Sequence, residues 1–185
     1  NAFPQLDFVR MRGGSVAYAT GMGAAPVQTL IPYNGASSSK FFAVCNGSIY
    51  DITSGGAVGA AAVTGLNTSA NMEFIQYTNA GGSWIIAVNG VDAAQLFNGT
   101  AWVTAPAITG LTGGNLAFVW ASKNHFYGIQ SASLNAWYLA VVDSVGGAAT
   151  SFPLSSIFKY GGYLQCGTTW AINATSGLYE LTVFV

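Results

Sequence analysis

Charge is what this chain has least of. Its 185 residues carry five Lys or Arg and six Asp or Glu, so 6% are charged and the net charge is −1. An average soluble domain has about 25%. A chain so poor in charge has little to keep a fully wetted surface soluble, which implies that neighbouring subunits or further chain cover much of it. The near-zero balance also excludes a basic field that holds nucleic acid by counterion release. One histidine, His125, and two cysteines, Cys45 and Cys166, are too few for a zinc site. Both cysteines sit in apolar surroundings and read as buried thiols. No run reaches the ~18 apolar residues of a membrane-spanning helix. The start, Asn1-Ala2-Phe3-Pro4-Gln5, lacks a charged segment followed by an apolar one, so no signal peptide is expected. Both ends read as cuts within a longer polypeptide.

A helical i, i+3, i+4 stripe is missing as well. Apolar residues come instead in runs of four to six, bounded by Gly, Asn, Ser or Pro, and such runs read as strands. Half of the chain is hydrophobic and 14% is aromatic, so a large core is available. Four Asn-Gly pairs punctuate the first hundred residues, at Asn34, Asn46, Asn89 and Asn98. Asn-Gly suits the two-residue hairpin turn, whose central residues need positive φ. The hairpin phrase around Asn46-Gly47 recurs around Asn89-Gly90, and another follows at Asn98-Gly99. Hairpins repeating every ~40–45 residues suggest propeller blades.

The expected fold is therefore all-β: an antiparallel β-propeller fragment of three complete four-stranded blades and a partial fourth. Residues 1–26 form N-terminal strands and a connection, with two short strands around Gly13-Gly14. The propeller part spans 27–185, with blades at 27–63, 73–108 and 116–154 and a half blade at 164–185. The second strands align Ala43, Ala87 and Gly128. Phe41 to Cys45 and Trp84 to Val88 are apolar at almost every position, which implies burial on both faces. A blade sandwiched between two others meets that condition.

Candidate chemistry is sparse. His125 follows Lys123-Asn124 at a turn, with no acid placed to orient it as a general base, and reads as a surface or interface residue. The six acids are Asp7, Asp51, Glu73, Asp92, Asp143 and Glu180. Asp51 and Asp92 adjoin hairpin turns, where Asp commonly bonds local backbone, so paired catalytic carboxylates are not expected. The Gly-Gly loops precede no helix and so are not phosphate loops. Trp84 and Trp170 read as packing between blades. Trp102, just after Asn98-Gly99, reads as an exposed hairpin residue and a candidate for surface recognition. Arg10 and Arg12 share a strand face and are candidates for a subunit contact or a DNA-backbone contact. Two of the four Asn-x-Ser/Thr matches coincide with Asn-Gly turns, which accounts for them without glycans. No catalytic residue, metal ligand or cofactor is assigned, and the chain reads as a non-enzyme.

The wording of particular phrases carries more. Phe8-Val9-Arg10-Met11-Arg12-Gly13-Gly14-Ser15, then Tyr18-Ala19-Thr20-Gly21-Met22-Gly23, then Thr29-Leu30-Ile31-Pro32-Tyr33 resemble the early part of a bacteriophage virion family. So do Ser48-Ile49-Tyr50-Asp51, Ile86-Ala87-Val88-Asn89-Gly90, Leu96 to Trp102, Ala136-Trp137-Tyr138-Leu139, Gly146 to Leu154, and Gly161-Gly162-Tyr163-Leu164. The family is that of tail hub and nozzle proteins of short-tailed phages, which includes packaged-DNA stabilisation proteins and tail tubular protein B. The resemblance implies a β-propeller in a longer chain. It implies identical subunits in a ring below portal and adaptor, with tail fibres or spikes attached and DNA passing without sequence-specific contact. The implied location is the virion tail, and the host cytoplasm during assembly. It carries no catalytic residues across. The alternative is a carbohydrate- or receptor-binding propeller or tail-fibre domain, with loop 98–102 as its binding element.

Overall fold

A computed structural model describes residues 2–4, 9–11, 14–103, 108–174 and 177–185, giving backbone only for 2–4, 9–11, 172–174 and 177–180. The described residues contain strands and turns and no helix, so the all-β expectation holds. The strands run β1 Ala2–Pro4, β2 Val9–Met11, β3 Ala19–Thr20, β4 Val27–Asn34, β5 Ser39–Cys45, β6 Ser48–Asp51 and β7 Gly56–Ala57. They continue with β8 Glu73–Asn79, β9 Gly82–Val88, β10 Gln95–Phe97, β11 Trp102–Val103 and β12 Ile108–Thr109. The last are β13 Leu116–Ser122, β14 His125–Gln130, β15 Asn135–Leu139, β16 Gly147–Pro153, β17 Gly167–Ala174 and β18 Gly177–Phe184.

Among the described residues, four antiparallel sheets follow one another after the short antiparallel pair β1-β2. The first is β4-β5-β6, the second β8-β9-β10-β11, the third β13-β14-β15-β16, and the fourth the hairpin β17-β18. Two short parallel pairs accompany them: β3 beside β7, and β12 beside β16. The first sheet has three strands where four were expected. The segment 57–63 supplies only an isolated bridge, Val63 to Ile49, and leaves the ladder at Ala57. Between Val58 and Val63 the segment is only glycine and alanine, which favour a strand poorly. The two short strands expected around Gly13-Gly14 are present as β2 and β3, and they pair with other strands and not with each other. Val9–Met11 pairs upstream, with Ala2–Pro4, and Ala19–Thr20 pairs with Gly56–Ala57.

Packing follows from strand alternation. Ile85, Ala87, Phe97 and Trp102 leave one face of the second sheet and meet Ile31, Tyr33, Phe42 and Val44 of the first. Ile86, Val88 and Leu96 leave the opposite face and meet Leu116, Phe126, Trp137 and Leu139 of the third. The other face of the third sheet, with Trp120, Ile129 and Ala136, receives Phe184 and Leu164. So Phe42 to Cys45 and Ile85 to Val88 are buried at every position, as their unbroken apolar runs required. Gly128 faces the second sheet, where a Cβ would come 2.7 Å from Leu116 Cδ1.

The Asn-Gly pairs divide into kinds. Asn46 (φ 49°) and Gly47 (φ 70°) form the two-residue hairpin turn with both central residues left-handed. Asn89 and Asn98 instead use their side-chain oxygens, Asn89 accepting from the amides of Val91 and Asp92 and Asn98 from those of Thr100 and Ala101. Asn34 ends β4, and its turn closes through the Gly35 amide on Ser38 O at 2.9 Å.

Candidate functional site

Polar groups concentrate at the seams between sheets. At the first seam, the Asn34 amide donates to Gln76 Oε1 (2.8 Å) and Gln76 Nε2 donates back to Asn34 O (2.7 Å). Tyr33 Oη reaches Ser83 O at 3.2 Å. A cleft of about 460 Å³ opens beside this seam, lined among others by Val63, Leu66, Asp92, Gln95 and Trp102. Asp92 is anchored within it, accepting from the Asn67 amide and from Asn89 Nδ2, each at 2.7 Å. That agrees with the expected turn role and adds a contact 25 residues away along the chain.

Trp102 corrects its expectation. It is 8% exposed, packed against Phe42 and Phe97 at ring-centroid distances of 5.3 and 5.4 Å. As the partner of Phe97 in the β10–β11 ladder it shares that residue's face, and that face is covered by the first sheet. Its Nε1 is buried and has no hydrogen-bond partner among the described residues. Trp170 departs in the opposite direction: expected in a core, it is 61% exposed. It lies on the face of the terminal hairpin away from the third sheet, opposite Leu181, which is 48% exposed. Trp84 is half-buried against the core between the second and third sheets, as expected, with Nε1 donating to Asn79 Oδ1 at 3.0 Å.

Near the first cleft, Lys40 Nζ pairs with Asp51 Oδ2 at 2.8 Å. Partial burial works to raise the Asp51 carboxyl. The bonds from Lys40 and from the Thr53 hydroxyl and amide, with the Lys40 charge, outweigh it and hold the group below its ordinary value. The arrangement is an exposed ion pair capping a turn.

The second seam ties β8 to the turn before β14. Tyr77 Oη lies 3.0 Å from both Asn124 O and Asp143 Oδ1, and Asn79 Nδ2 donates to Asp143 O at 2.7 Å. Burial, then the hydrogen bond and charge of Asp143, push the Tyr77 phenol above its ordinary value. His125 opens β14 with Nδ1 2.8 Å from Leu139 O. That bond fixes its ring to the neighbouring strand, and no carboxylate is hydrogen-bonded to it among the described residues.

Sequence reasoning missed Gln130. It is 1% exposed, and its Nε2 donates to Thr112 O (2.7 Å) and Gly114 O (3.1 Å) while Oε1 accepts from Asn135 Nδ2 (3.1 Å). A buried amide with both ends satisfied pins the loop before β13. Its position at the end of an apolar strand was the only signal.

An aromatic row crosses the third sheet. Trp120 stacks on Tyr127 at 5.3 Å and Tyr127 on Tyr138 at 6.0 Å. Phe184 covers the Trp120 end edge-on and stacks with Phe152 at 6.2 Å. The uncovered end is a groove of about 390 Å³ lined by Tyr127, Tyr138, Phe152, Thr182 and Phe184.

Of the two arginine candidates, Arg10 lies in β2 opposite Phe3, and Arg12 lies outside the described residues. Asp7 lies outside them too. Among the described residues no three His, Cys, Asp or Glu side chains gather as a metal site would require. Cys45 is buried, its thiol facing the Met22 and Ala25 carbonyls, and Cys166 is half-buried and free. No protein-family model, curated protein or solved structure matches the chain.

Proposed function

We propose that this chain is a structural virion protein, a tail hub or nozzle subunit of a short-tailed phage, whose successive sheets are blades of a β-propeller. In this reading it stands with identical copies in a ring below portal and adaptor. It forms part of the DNA-ejection conduit and anchors tail fibres or spikes. It assembles in the host cytoplasm and resides in the virion tail. The observation that carries the reading is the succession itself. Sheet packs on sheet through apolar faces, and the two end faces stay bare, with Leu30 and Tyr18 at one end and Trp170 and Leu181 at the other 48–61% exposed. Bare apolar faces on a chain with 6% charge suit permanent assembly. The described polar groups are spent on turns and seams, which suits a scaffold. The virion part of the reading rests on the phrase resemblance.

The test is complementation of a phage defective in this chain. Trp84→Ala should stop tail assembly, while His125→Ala and Asp51→Ala should leave tailed particles and infectivity intact. Normal tails that fail to deliver DNA in either of the last two would expose an active site and overturn the reading.

One observation favours the second reading, a carbohydrate- or receptor-binding domain: the open groove with Tyr127, Tyr138 and Phe152. It moves the binding element away from loop 98–102, whose tryptophan is buried. Binding on a glycan array that Tyr138→Ala abolishes would favour it.

A further inference from the structure

The four Asn-Gly pairs share a reactivity as well as a turn preference. Glycine has no side chain to block its own amide nitrogen from the Cγ of the preceding Asn, and the ring such an attack closes has five members. The attack needs a nitrogen free to lose its proton, a side chain folded over the following peptide, and an amide free to leave. The fold sets these conditions differently at each pair. At Asn34 the Gly35 amide is engaged, donating to Ser38 O at 2.9 Å, and the Asn34 backbone is held by both ends of the Gln76 amide. At Asn46 the turn is left-handed (φ 49°) and Gly47 is buried under the next loop. Its carbonyl accepts from the Leu66 amide at 2.9 Å, and a Cβ on it would collide with Leu66 O, so this peptide has no room to rotate.

Asn89 and Asn98 form a matched pair. Each side-chain oxygen accepts from two amides that follow it, at 3.1 and 2.8 Å from Val91 and Asp92, and at 3.0 and 2.8 Å from Thr100 and Ala101. These bonds turn each side chain over its own C-terminal peptide. They also polarise its carbonyl and stand ready for the negative oxygen that attack at Cγ creates, as the donors of an oxyanion hole do. The two sites differ in the reacting atoms. The Gly90 amide donates to Leu116 O at 2.7 Å, and Asn89 Nδ2 donates to Asp92 Oδ2 at 2.7 Å, so nucleophile and leaving group are both tied. Among the described residues, neither the Gly99 amide nor Asn98 Nδ2 has a hydrogen-bond partner, and Asn98 is exposed. Gly99 has a φ of 90°, a conformation that leaves the position to glycine.

We infer that Asn98 is a site of spontaneous deamidation and isomerisation, favoured over the other three pairs and built into the β10–β11 turn. The Gly99 nitrogen gives its proton to water and bonds to Asn98 Cγ. The Cγ–Nδ2 bond breaks, ammonia leaves, and a succinimide ring remains. Water then adds to one of the two ring carbonyls and breaks its bond to nitrogen. Addition at Cγ gives aspartate, and addition at the main-chain carbonyl gives isoaspartate. Either product adds a negative charge to a chain whose net charge is −1. Isoaspartate also lengthens the turn's backbone by one carbon. That turn is closed by the Asn98 amide on Ala101 O at 3.1 Å and leads straight into Trp102, the ladder partner of Phe97. A longer turn cannot keep both that bond and the ladder register, so isomerisation loosens Trp102 from Phe42 and Phe97. The inference goes beyond the assembly reading and does not depend on it.

The test incubates the chain at mildly alkaline pH, folded and in parallel in urea, and reads conversion at each pair by peptide mapping with mass spectrometry. Isoaspartyl methyltransferase labelling counts the isoaspartate. In urea the four pairs present the same dipeptide and should react at similar rates. In the folded chain Asn34, Asn46 and Asn89 should slow by about tenfold or more, and Asn98 should not slow. Asn98→Ser keeps a side-chain oxygen for the turn and has no amide to lose. It should remove the leading conversion and hold its urea midpoint through the incubation, while the midpoint of the wild type falls as isoaspartate accumulates. Equal rates at the four pairs of the folded chain would overturn the inference. So would a lead by any other pair, or a folded rate at Asn98 as low as that at Asn89. Full conversion at Asn98 with an unmoved midpoint would overturn the loosening of Trp102.

Discussion

The β8–β9 hairpin and the β17–β18 hairpin are built alike, from long strands with apolar and β-branched residues, yet they live in different surroundings. Ile85 and Ile86, adjacent in β9, point to opposite faces and are 0 and 1% exposed, because a sheet lies on each side. In β17–β18 one face is covered by the third sheet and the other carries Trp170 and Leu181 into solvent. The lesson is that an apolar run states a capacity for burial on two faces. Whether both are used depends on a neighbour that lies elsewhere in the chain or in another chain.

The comparison breaks first at Phe97. This ring touches Tyr33, Phe42 and Trp102 at centroid distances of 5.0, 4.9 and 5.4 Å and is 2% exposed. Phe97→Ala should cost about 3–5 kcal/mol in urea unfolding. A loss below about 1 kcal/mol would mean that the first two sheets are not packed as described. Tyr77→Phe comes next. It removes a hydroxyl shared by Asn124 O and Asp143 Oδ1, at a cost of about 1 kcal/mol. Its pH dependence sharpens the point. The folded phenol sits above its ordinary value of 10.0, so its contribution is complete below that pH and is lost as pH rises through the folded value. The wild type should lose stability over that alkaline window, and the Phe variant should lose less. Equal slopes would place no raised phenol at this seam. The smallest effect belongs to Trp170→Ala, within about 0.5 kcal/mol for the separated monomer. The same change should weaken self-association, and an effect on unfolding as large as that of Phe97→Ala would show the terminal hairpin to be covered on both faces.

Much of the fold was legible. Asn46-Gly47 announced a tight hairpin and formed one, and the runs at Phe42 to Cys45 and Ile85 to Val88 announced double-sided burial and have it. The tryptophans were legible only as buriable. Trp102 looked exposed because it follows a turn, but its ladder partner Phe97 puts it on a covered face; Trp170 looked buried because its strand is apolar, but its face has no neighbour. Local pattern encodes alternation, and sheet order decides which side of the alternation meets protein. The candidate site was least legible. The Tyr77, Asn79 and Asp143 seam joins residues more than sixty positions apart, and Gln130 gathers two carbonyls from the loop before β13 and a side-chain amide from the start of β15. No short motif records such convergence.

The two parallel pairs, β3 with β7 and β12 with β16, have a consequence for how the chain can be made. Each ties a short strand ahead of a sheet to a strand at or just beyond that sheet's end, β3 to β7 after β6 at Thr20 with Ala57, and β12 to β16 at Thr109 with Ala148. During synthesis neither tie can close until roughly forty residues have emerged from the ribosome, by which point the hairpins between them are already long enough to form. Each tie therefore acts as a latch on a finished unit and not as a nucleus. In the mature protein, opening such a unit should begin by releasing its latch. Amides at Thr20 and Thr109 should be among the first to exchange in their units, well ahead of those in β5 and β14.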